Sequence, residues 1–263
     1  MKPTARLPLA ALRVRAQEAG TTRDLLDVRS QLEGDPRAGA CLLARQLERR
    51  IEATRRERQR WKRLCSHRTA LRRAGAKHVA GVDEVGVGPL AGPVVAAAVV
   101  LPDQISLPGL DDSKRVRPAA REVLAEAIRA QAVSWSVAEL WPEEIDRLNI
   151  YHATLQAMRR AVMALSVVPD HVLVDARTIP DIDIPQTALV GGDGRDASIA
   201  AASIVAKVYR DALMRRLDRE HPGYGFARHM GYATEEHRSA LRRLGPSPVH
   251  RRSFAPCSQP GLW

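Results

Sequence analysis

The chain has 263 residues, of which 45% are apolar and 27% charged, with a formal net charge of +11; that length suffices for one sizeable core and an appendage. The longest apolar run, PVVAAAVVL at 93–101, is about half of the roughly 20 residues a membrane-spanning helix needs, and Arg6, Arg13 and Arg15 break up the N-terminus where a signal peptide would be apolar. Cys41, Cys65 and Cys257 are odd in number and scattered, which argues against a disulfide framework or a zinc site, so a soluble, cytoplasmic protein with no membrane partner is expected.

In chain order, TTRDLLDVRSQLEG at 21–34 reads as a short helix. Asp35 can cap and Pro36 can start a longer one, with Leu43, Leu47 and Ile51 along one face. These two make a small helical arm whose apolar stripe needs a partner surface or the main domain to cover it. RTALRRAGAK at 68–77 reads as a joint. Residues 1–77 carry a net charge of +12 and residues 78–263 carry −1, so the positive charge belongs to the arm. A nucleic-acid backbone would attract such a segment through Coulomb steering and counterion release; a solvated basic helix would look the same.

From residue 78 the pattern becomes mixed. HVAGVDE and AGPVVAAAVVL read as two strands joined by the Gly/Pro turn GVGP, forming a hairpin. Pro118 opens a helix over 118–132, VSWSVAEL at 133–140 alternates as a strand, and NIYHATLQAMRRAVMAL at 149–165 has helical periodicity. HVLVDA at 171–176 is a short buried strand, followed by ALV, a helix from Ala197 to Glu220 and a last helix from Thr234. The order predicts an α/β fold, a mixed central sheet flanked by helices and preceded by the helical arm, with domains at 1–77 and 78–263.

GVGPLA loosely matches a dinucleotide fingerprint, but that motif must open a helix and here Pro93 leads into a strand. Serine, histidine and cysteine occur in no nucleophile context. What recurs is an acid at a strand end: Asp83 closes the first strand, Asp175 closes HVLVD, and Asp193 sits in the turn after ALV. Carboxylates brought together there would repel unless cations neutralise them. Oxygen donors suit Mg²⁺ or Mn²⁺, and two such ions about 4 Å apart can hold the attacking water and the leaving oxygen of a phosphodiester in line. Glu84 follows Asp83 and would point to the opposite sheet face, so it joins only if the chain twists at the turn or contributes through its backbone. Taken singly, each acid is more often a surface or capping carboxylate.

GVDEVGVGPLAGPVVAAAVVL, LDDSK, NIYHATLQAM, VLVDA, GGD followed by SIAAASIVAKVYRD, YGFARHMGYATEEH and GPSPVHRRSF occur in this order. Together they resemble ribonuclease HII, the type 2 ribonuclease H, over nearly all of 78–256. The basic arm, with its DPR and Trp-containing helix, is similar to the N-terminal extension of some bacterial members. The resemblance implies a ribonuclease H-like fold and an endoribonuclease that hydrolyses the RNA strand of RNA/DNA hybrids. It also implies incision 5′ of single ribonucleotides embedded in duplex DNA, leaving a 3′-hydroxyl and a 5′-phosphate. Two divalent ions, Mg²⁺ or Mn²⁺, would be held by Asp83, Glu84, Asp175 and Asp193. A monomer is implied, with a replication or repair protein as a further partner.

Choosing RNA means sensing a 2′-hydroxyl. In the family a Gly-Arg-Gly turn and a tyrosine of a Lys-Gly-Tyr segment read the junction; they correspond to Gly86, Val87, Gly88 and Tyr232. Val87 and Met230 stand where basic residues are expected, so two positive charges near the nucleic acid are missing, and the basic arm is expected to offset them. Lys114 of DDSK and Lys207 of SIVAK are candidate phosphate contacts, with a solvated helix lysine as the alternative for Lys207. Ser203 either bonds phosphate or packs; Tyr232 packs on a sugar or fills a core at a helix entry. His250, Arg251 and Arg252 either approach the substrate or pin the tail. The altered turn keeps two alternatives open: a ribonuclease HIII-like hybrid nuclease, and a weakly active nucleic-acid-binding homologue.

Overall fold

The structure, a computed structural model, describes residues 7–258. The chain divides into two compact units, one up to Arg63 and one from Leu64. The first contains α1 (Leu9–Glu18), α2 (Thr22–Ser30) and most of α3 (Ala38–Leu64). Leu43, Leu47 and Ile51 of α3 pack with Leu12 and Ala16 of α1 and Leu25 and Val28 of α2. The apolar stripe is therefore covered inside the unit itself. Sequence periodicity does not reveal α1, whose apolar residues follow no helical stripe; packing of Leu12 and Ala16 fixes it. Thr21 and Asp24 form a reciprocal capping box at the start of α2, satisfying two backbone donors. At the other junction Asp35 accepts from Arg37 N–H and its guanidinium, and the helix begins at Ala38 instead of Pro36.

The second unit begins with α4 (Ser66–Arg73), so most of the stretch read as a joint is helical. Its anchor is Arg68, buried and donating to Leu101 O and Pro102 O at 3.0 and 2.7 Å. Five strands follow: β1 (Val79–Val85), β2 (Val94–Val100), β3 (Ser134–Leu140), β4 (His171–Asp175) and β5 (Gln186–Leu189). They form one mixed sheet in the order β3-β2-β1-β4-β5. β1 is antiparallel to β2 and parallel to β4, with Val82 opposite Val174. The C-terminal ends of β1 and β4 therefore lie side by side, bringing Asp83 and Asp175 to one edge of the sheet. Ligand chemistry in open α/β sheets concentrates at such ends.

One face carries α5 (Pro118–Gln131) and α8 (Ala197–Glu220); the other carries α6 (Pro142–Leu148) and α7 (Ile150–Met163). β2 is buried throughout, VVAAAVV, because helices cover both faces. Alanine at its centre lets them come close. On the α7 face, Ala80 and Val82 pack with Val94, Ala96, Met158 and Val162. On the α8 face, Val79 and Leu173 pack with Ile199. Gly81 faces α8 so closely that a Cβ there would stand 2.0 Å from Ser198 backbone carbon. The absence of a side chain at 81 thus sets how tightly α8 lies on β1. The chain closes with α9 (Phe226–His229), α10 (Glu235–Leu244) and α11 (Ala255–Ser258). Periodicity does not indicate α6 or α9, which are about two turns or less. No helix among the described residues is long and apolar enough to cross a membrane.

Candidate active site

Asp83 points to the α8 face of β1. It is buried at 6% exposure, accepts Glu84 N–H at 2.8 Å, and is hydrogen-bonded by Ser203 of α8. Ser203 Oγ in turn bonds Ser113 Oγ at 2.9 Å, so the LDDSK loop is tied to the acid through two hydroxyls. Burial, then the charges of Glu84 and Asp175, hold the Asp83 carboxyl well above the usual carboxylate range. Glu84 starts from the opposite sheet face, as strand alternation requires, yet at the end of the strand its charge still reaches Asp83 and that of Asp175 reaches it. Its carboxyl is raised by burial, opposed by Arg177 at 3.5 Å and raised further by Asp175. Arg177 also lies over the Tyr151 ring at 5.4 Å.

Asp175 ends β4 and accepts the Gly192 N–H at 2.6 Å. A Cβ at Gly192 would sit 3.3 Å from that carboxylate and 2.6 Å from Ile199 Cδ1, so glycine is needed for the turn to approach. Ala176, immediately after, has φ +53°, a costly conformation for a residue with a Cβ that bends the chain away from the sheet at the acid. Asp193 lies in the single 3₁₀ turn Gly192–Gly194 after Gly191, whose φ of +64° suits only glycine well. Asp196 then caps α8 by accepting from Ser198 and Ile199 N–H. Burial and the carboxylates of Asp112 and Asp175 raise the Asp193 carboxyl, while Lys114 lowers it.

Asp175 is thus the hub, sensed by Asp83, Glu84 and Asp193. As placed, no three His, Cys, Asp or Glu side chains among the described residues form a ready metal cage. Such a cage is not required of Mg²⁺, which keeps several waters and takes one or two carboxylates plus substrate phosphate. The donors are all hard oxygens, and Glu84 Oε2 is buried with no hydrogen-bond partner among the described residues. Both features fit a divalent cation.

Beside the acids lies the glycine turn. Gly86 is buried with φ +88°, Val87 is half-buried against the α7-side core, and Gly88 is exposed. The Tyr232 ring reaches to 3.8 Å from where a Gly88 Cβ would stand and is 44% exposed, so it is not a core tyrosine. Met230 adopts φ +52°, turning the segment toward Gly231 and Tyr232. Lys114 is exposed close to Asp193, whereas Lys207 is occupied by an ion pair with Asp211 at 2.7 Å. His250 and Arg251 are buried and pin the tail, while exposed Arg252 uses its N–H to bond Asp146.

Three participants escape the sequence reading: Asp112, Ser113 and Arg177. Asp112 and Ser113 belong to the LDDSK motif, where the lysine alone stands out as a phosphate ligand. Arg177 follows a strand-end acid, where a counter-charge is an ordinary expectation.

The ribonuclease HII family model matches residues 80–257, spanning both the acids and the glycine turn. The chain belongs to the ribonuclease HII family. Curated ribonuclease HII of Myxococcus xanthus is 57% identical over 86% of this chain and 77% of its own length. That of Anaeromyxobacter is 50% identical over 96% of this chain and 80% of its own. Among solved structures, ribonuclease H2 of Pyrococcus horikoshii superposes with a TM-score of 0.60 at 25% identity, over 69% of this chain and 95% of that one. A structure of the PCNA:RNase HII complex from Archaeoglobus fulgidus gives 0.58 at 27% identity, over 67% and 95%. Both share the ribonuclease H-like sheet and helices. Ribonuclease HII enzymes are metal-dependent endoribonucleases that act on RNA/DNA substrates.

Proposed function

We propose that this ribonuclease HII cuts not only RNA in RNA/DNA hybrids but also duplex DNA 5′ of a single embedded ribonucleotide, leaving a 3′-hydroxyl and a 5′-phosphate. The observation that carries this reading is the pairing of the Gly86–Val87–Gly88 turn with an exposed tyrosine ring beside the acids. A backbone turn exposed at Gly88 can bond a 2′-hydroxyl, and an aromatic edge can pack on the adjoining sugar. Neither needs the basic side chain that position 87 lacks.

Asp83, Glu84, Asp175 and Asp193 are the proposed metal ligands and catalytic acids. Two Mg²⁺ or Mn²⁺ ions bound there would supply an activated water and charge neutralisation at the leaving oxygen. Ser203 orients Asp83 through its hydroxyl, and Arg177 restrains Glu84. Lys114, exposed near Asp193, would meet a phosphate; Lys207, paired with Asp211, would have to change partner to do so. Arg55, Arg56, Arg58 and Lys62 of α3 line one open groove with Glu52 and Gln59, a basic surface suited to a phosphate backbone. A replication clamp is a further proposed partner, by likeness to the Archaeoglobus complex.

Three duplexes test the reading with Mg²⁺ and with Mn²⁺: one embedded ribonucleotide, a continuous hybrid, and all DNA. Cleavage of the first two at the stated bonds is expected. Cleavage of the hybrid alone would favour a ribonuclease HIII-like activity, and cleavage of neither would favour a binding homologue.

A further inference from the structure

Residues 86–93 wrap two buried guanidinium groups. Arg251 donates from Nη2 to Gly86 O at 2.5 Å, from Nη1 to Val87 O at 2.8 Å and from Nε to Gly92 O at 3.0 Å. Arg210 of α8 donates to Pro93 O at 3.0 Å, Met230 O at 3.0 Å and Ala91 O at 3.2 Å. Both side chains are fully buried, and among the described residues neither forms an ion pair. Arg251 also lies over the Phe254 ring at 5.1 Å. A buried cation with no counter-charge in contact is a poor way to gain stability, since apolar packing of the same volume would do as well. Its geometry instead has a directional consequence.

A peptide unit is planar and trans, so its C=O and N–H point in opposite directions. With the Gly86 and Val87 carbonyls turned onto Arg251, the N–H groups of Val87 and Gly88 face away from it. Neither amide has a partner among the described residues. They emerge where Gly88 is exposed and the Tyr232 ring lies alongside. A carbonyl gripped by a cation also polarises its own peptide unit and strengthens the donor at its far end. Arg210 ties the same turn to Met230 O, and Leu90 N–H bonds Gly231 O at 2.8 Å, so the turn and the tyrosine segment move as one piece.

We propose that Arg251 and Arg210 are positioning residues for 2′-hydroxyl recognition: they fix the Val87 and Gly88 amides outward as donors and supply, from beneath, positive charge that the Val87 side chain does not. The inference rests on the single-ribonucleotide reading above. Arginine's fork is essential to it, because lysine keeps the charge but cannot engage two carbonyls in one plane.

The test compares full-length wild type with Arg251→Lys and Arg210→Lys. Affinity is measured in chelator, so that no cleavage occurs, for a duplex with one embedded ribonucleotide and for the same duplex in DNA. Wild type is expected to prefer the ribonucleotide duplex, and the folded lysine variants to lose about fivefold or more of that preference while binding all-DNA duplex as before. A purely structural role would weaken both duplexes together, and an unchanged preference in folded variants overturns the inference. Wild type showing no preference and no cleavage would instead overturn the underlying reading. If the variants do not fold, NMR of the wild type decides: the Val87 and Gly88 amides and the Arg251 Nε–H should all shift with the ribonucleotide duplex and not with its DNA counterpart. Amide shifts without a response at Arg251, or no amide shift at all, overturn the proposal.

Discussion

Asp83 is held in a place that opposes its own charge: buried, next to Glu84 and sensed by Asp175. A carboxyl raised in the folded state stabilises the protein only while protonated, so stability is lost as pH rises through its folded pKa. Asp83→Asn should therefore abolish cleavage, by at least about a thousandfold, yet raise the melting temperature of the metal-free protein at neutral pH. A gain of about 1 kcal/mol corresponds to roughly 2–4 °C for a chain this size. The advantage should vanish below about pH 4, where the unfolded carboxyl is also protonated; calorimetry across pH checks both halves. Val87 permits a second test. Its side chain is half-buried against the α7-side core, so Val87→Arg must bring that side chain out, at a cost of about 1 kcal/mol in packing. The gain is one more phosphate neutralised, read as a salt slope steeper by about one. An unchanged slope would mean that position 87 does not meet the backbone.

Among the elements, α9, α10 and the segment before α11 share a histidine network that supports the Tyr232 segment. His237 Nδ1 contacts Tyr232 O at 2.9 Å and so carries the proton there; its Nε2 then accepts from His250 Nε2–H at 3.0 Å. His250 Nδ1 accepts from Ser247 N–H at 3.0 Å. His229 bonds Tyr224 O through Nε2, while its Nδ1 accepts Gly231 N–H at 3.2 Å. Every ring nitrogen is used, and only neutral rings satisfy the pattern. Burial, then His237, lowers His250 to about 3. The unfolded chain therefore takes up a proton that the folded one refuses, and stability falls as pH drops from about 6.5 towards 3. His250→Gln can make the same two bonds without titrating. Relative to that variant, wild type should lose about 2 kcal/mol by pH 5, or about 4–8 °C, while a difference independent of pH would disprove neutral imidazoles here.

At the scale of the whole chain, charge is segregated. Residues up to 77 carry +12 and the remainder −1, but the structural division falls at Arg63. Arg68 of α4 is bonded to Leu101 O and Pro102 O of the catalytic unit, so a truncation through residue 70 would damage the sheet domain as well as remove the arm. Deleting residues 1–63 is the informative cut. It should leave the catalytic unit folded and reduce the salt dependence of duplex binding by about 0.9 for each phosphate that the arm neutralises. Equal affinity and equal slope with and without the arm would show that α3 is a solvated basic helix.

Much of this was legible in the sequence because alternation and glycine placement are local. The Val- and Ala-rich VVAAAVV strand, the helix opened by Pro118 and the alanine-rich span from Ala197 to Glu220 follow from composition and Gly/Pro punctuation alone. Asp83 and Asp175 stand out as acids at strand ends and Asp193 as an acid in a glycine turn, whereas Glu84 joins them only through the family resemblance. α6 and α9 are not legible because two turns or fewer leave no stripe, and the 10 residues of α1 carry none, so all three depend on neighbours for stability. Nor could the sequence tell that Lys207 faces Asp211, that Arg251 and Arg210 lie beneath the glycine turn, or that Asp112 reaches Asp193. Those are facts of pairing between segments as much as 165 residues apart. One-dimensional spacing specifies which groups a strand end offers, while the register of β1 against β4 and the approach of α8 at Gly81 decide which of them meet.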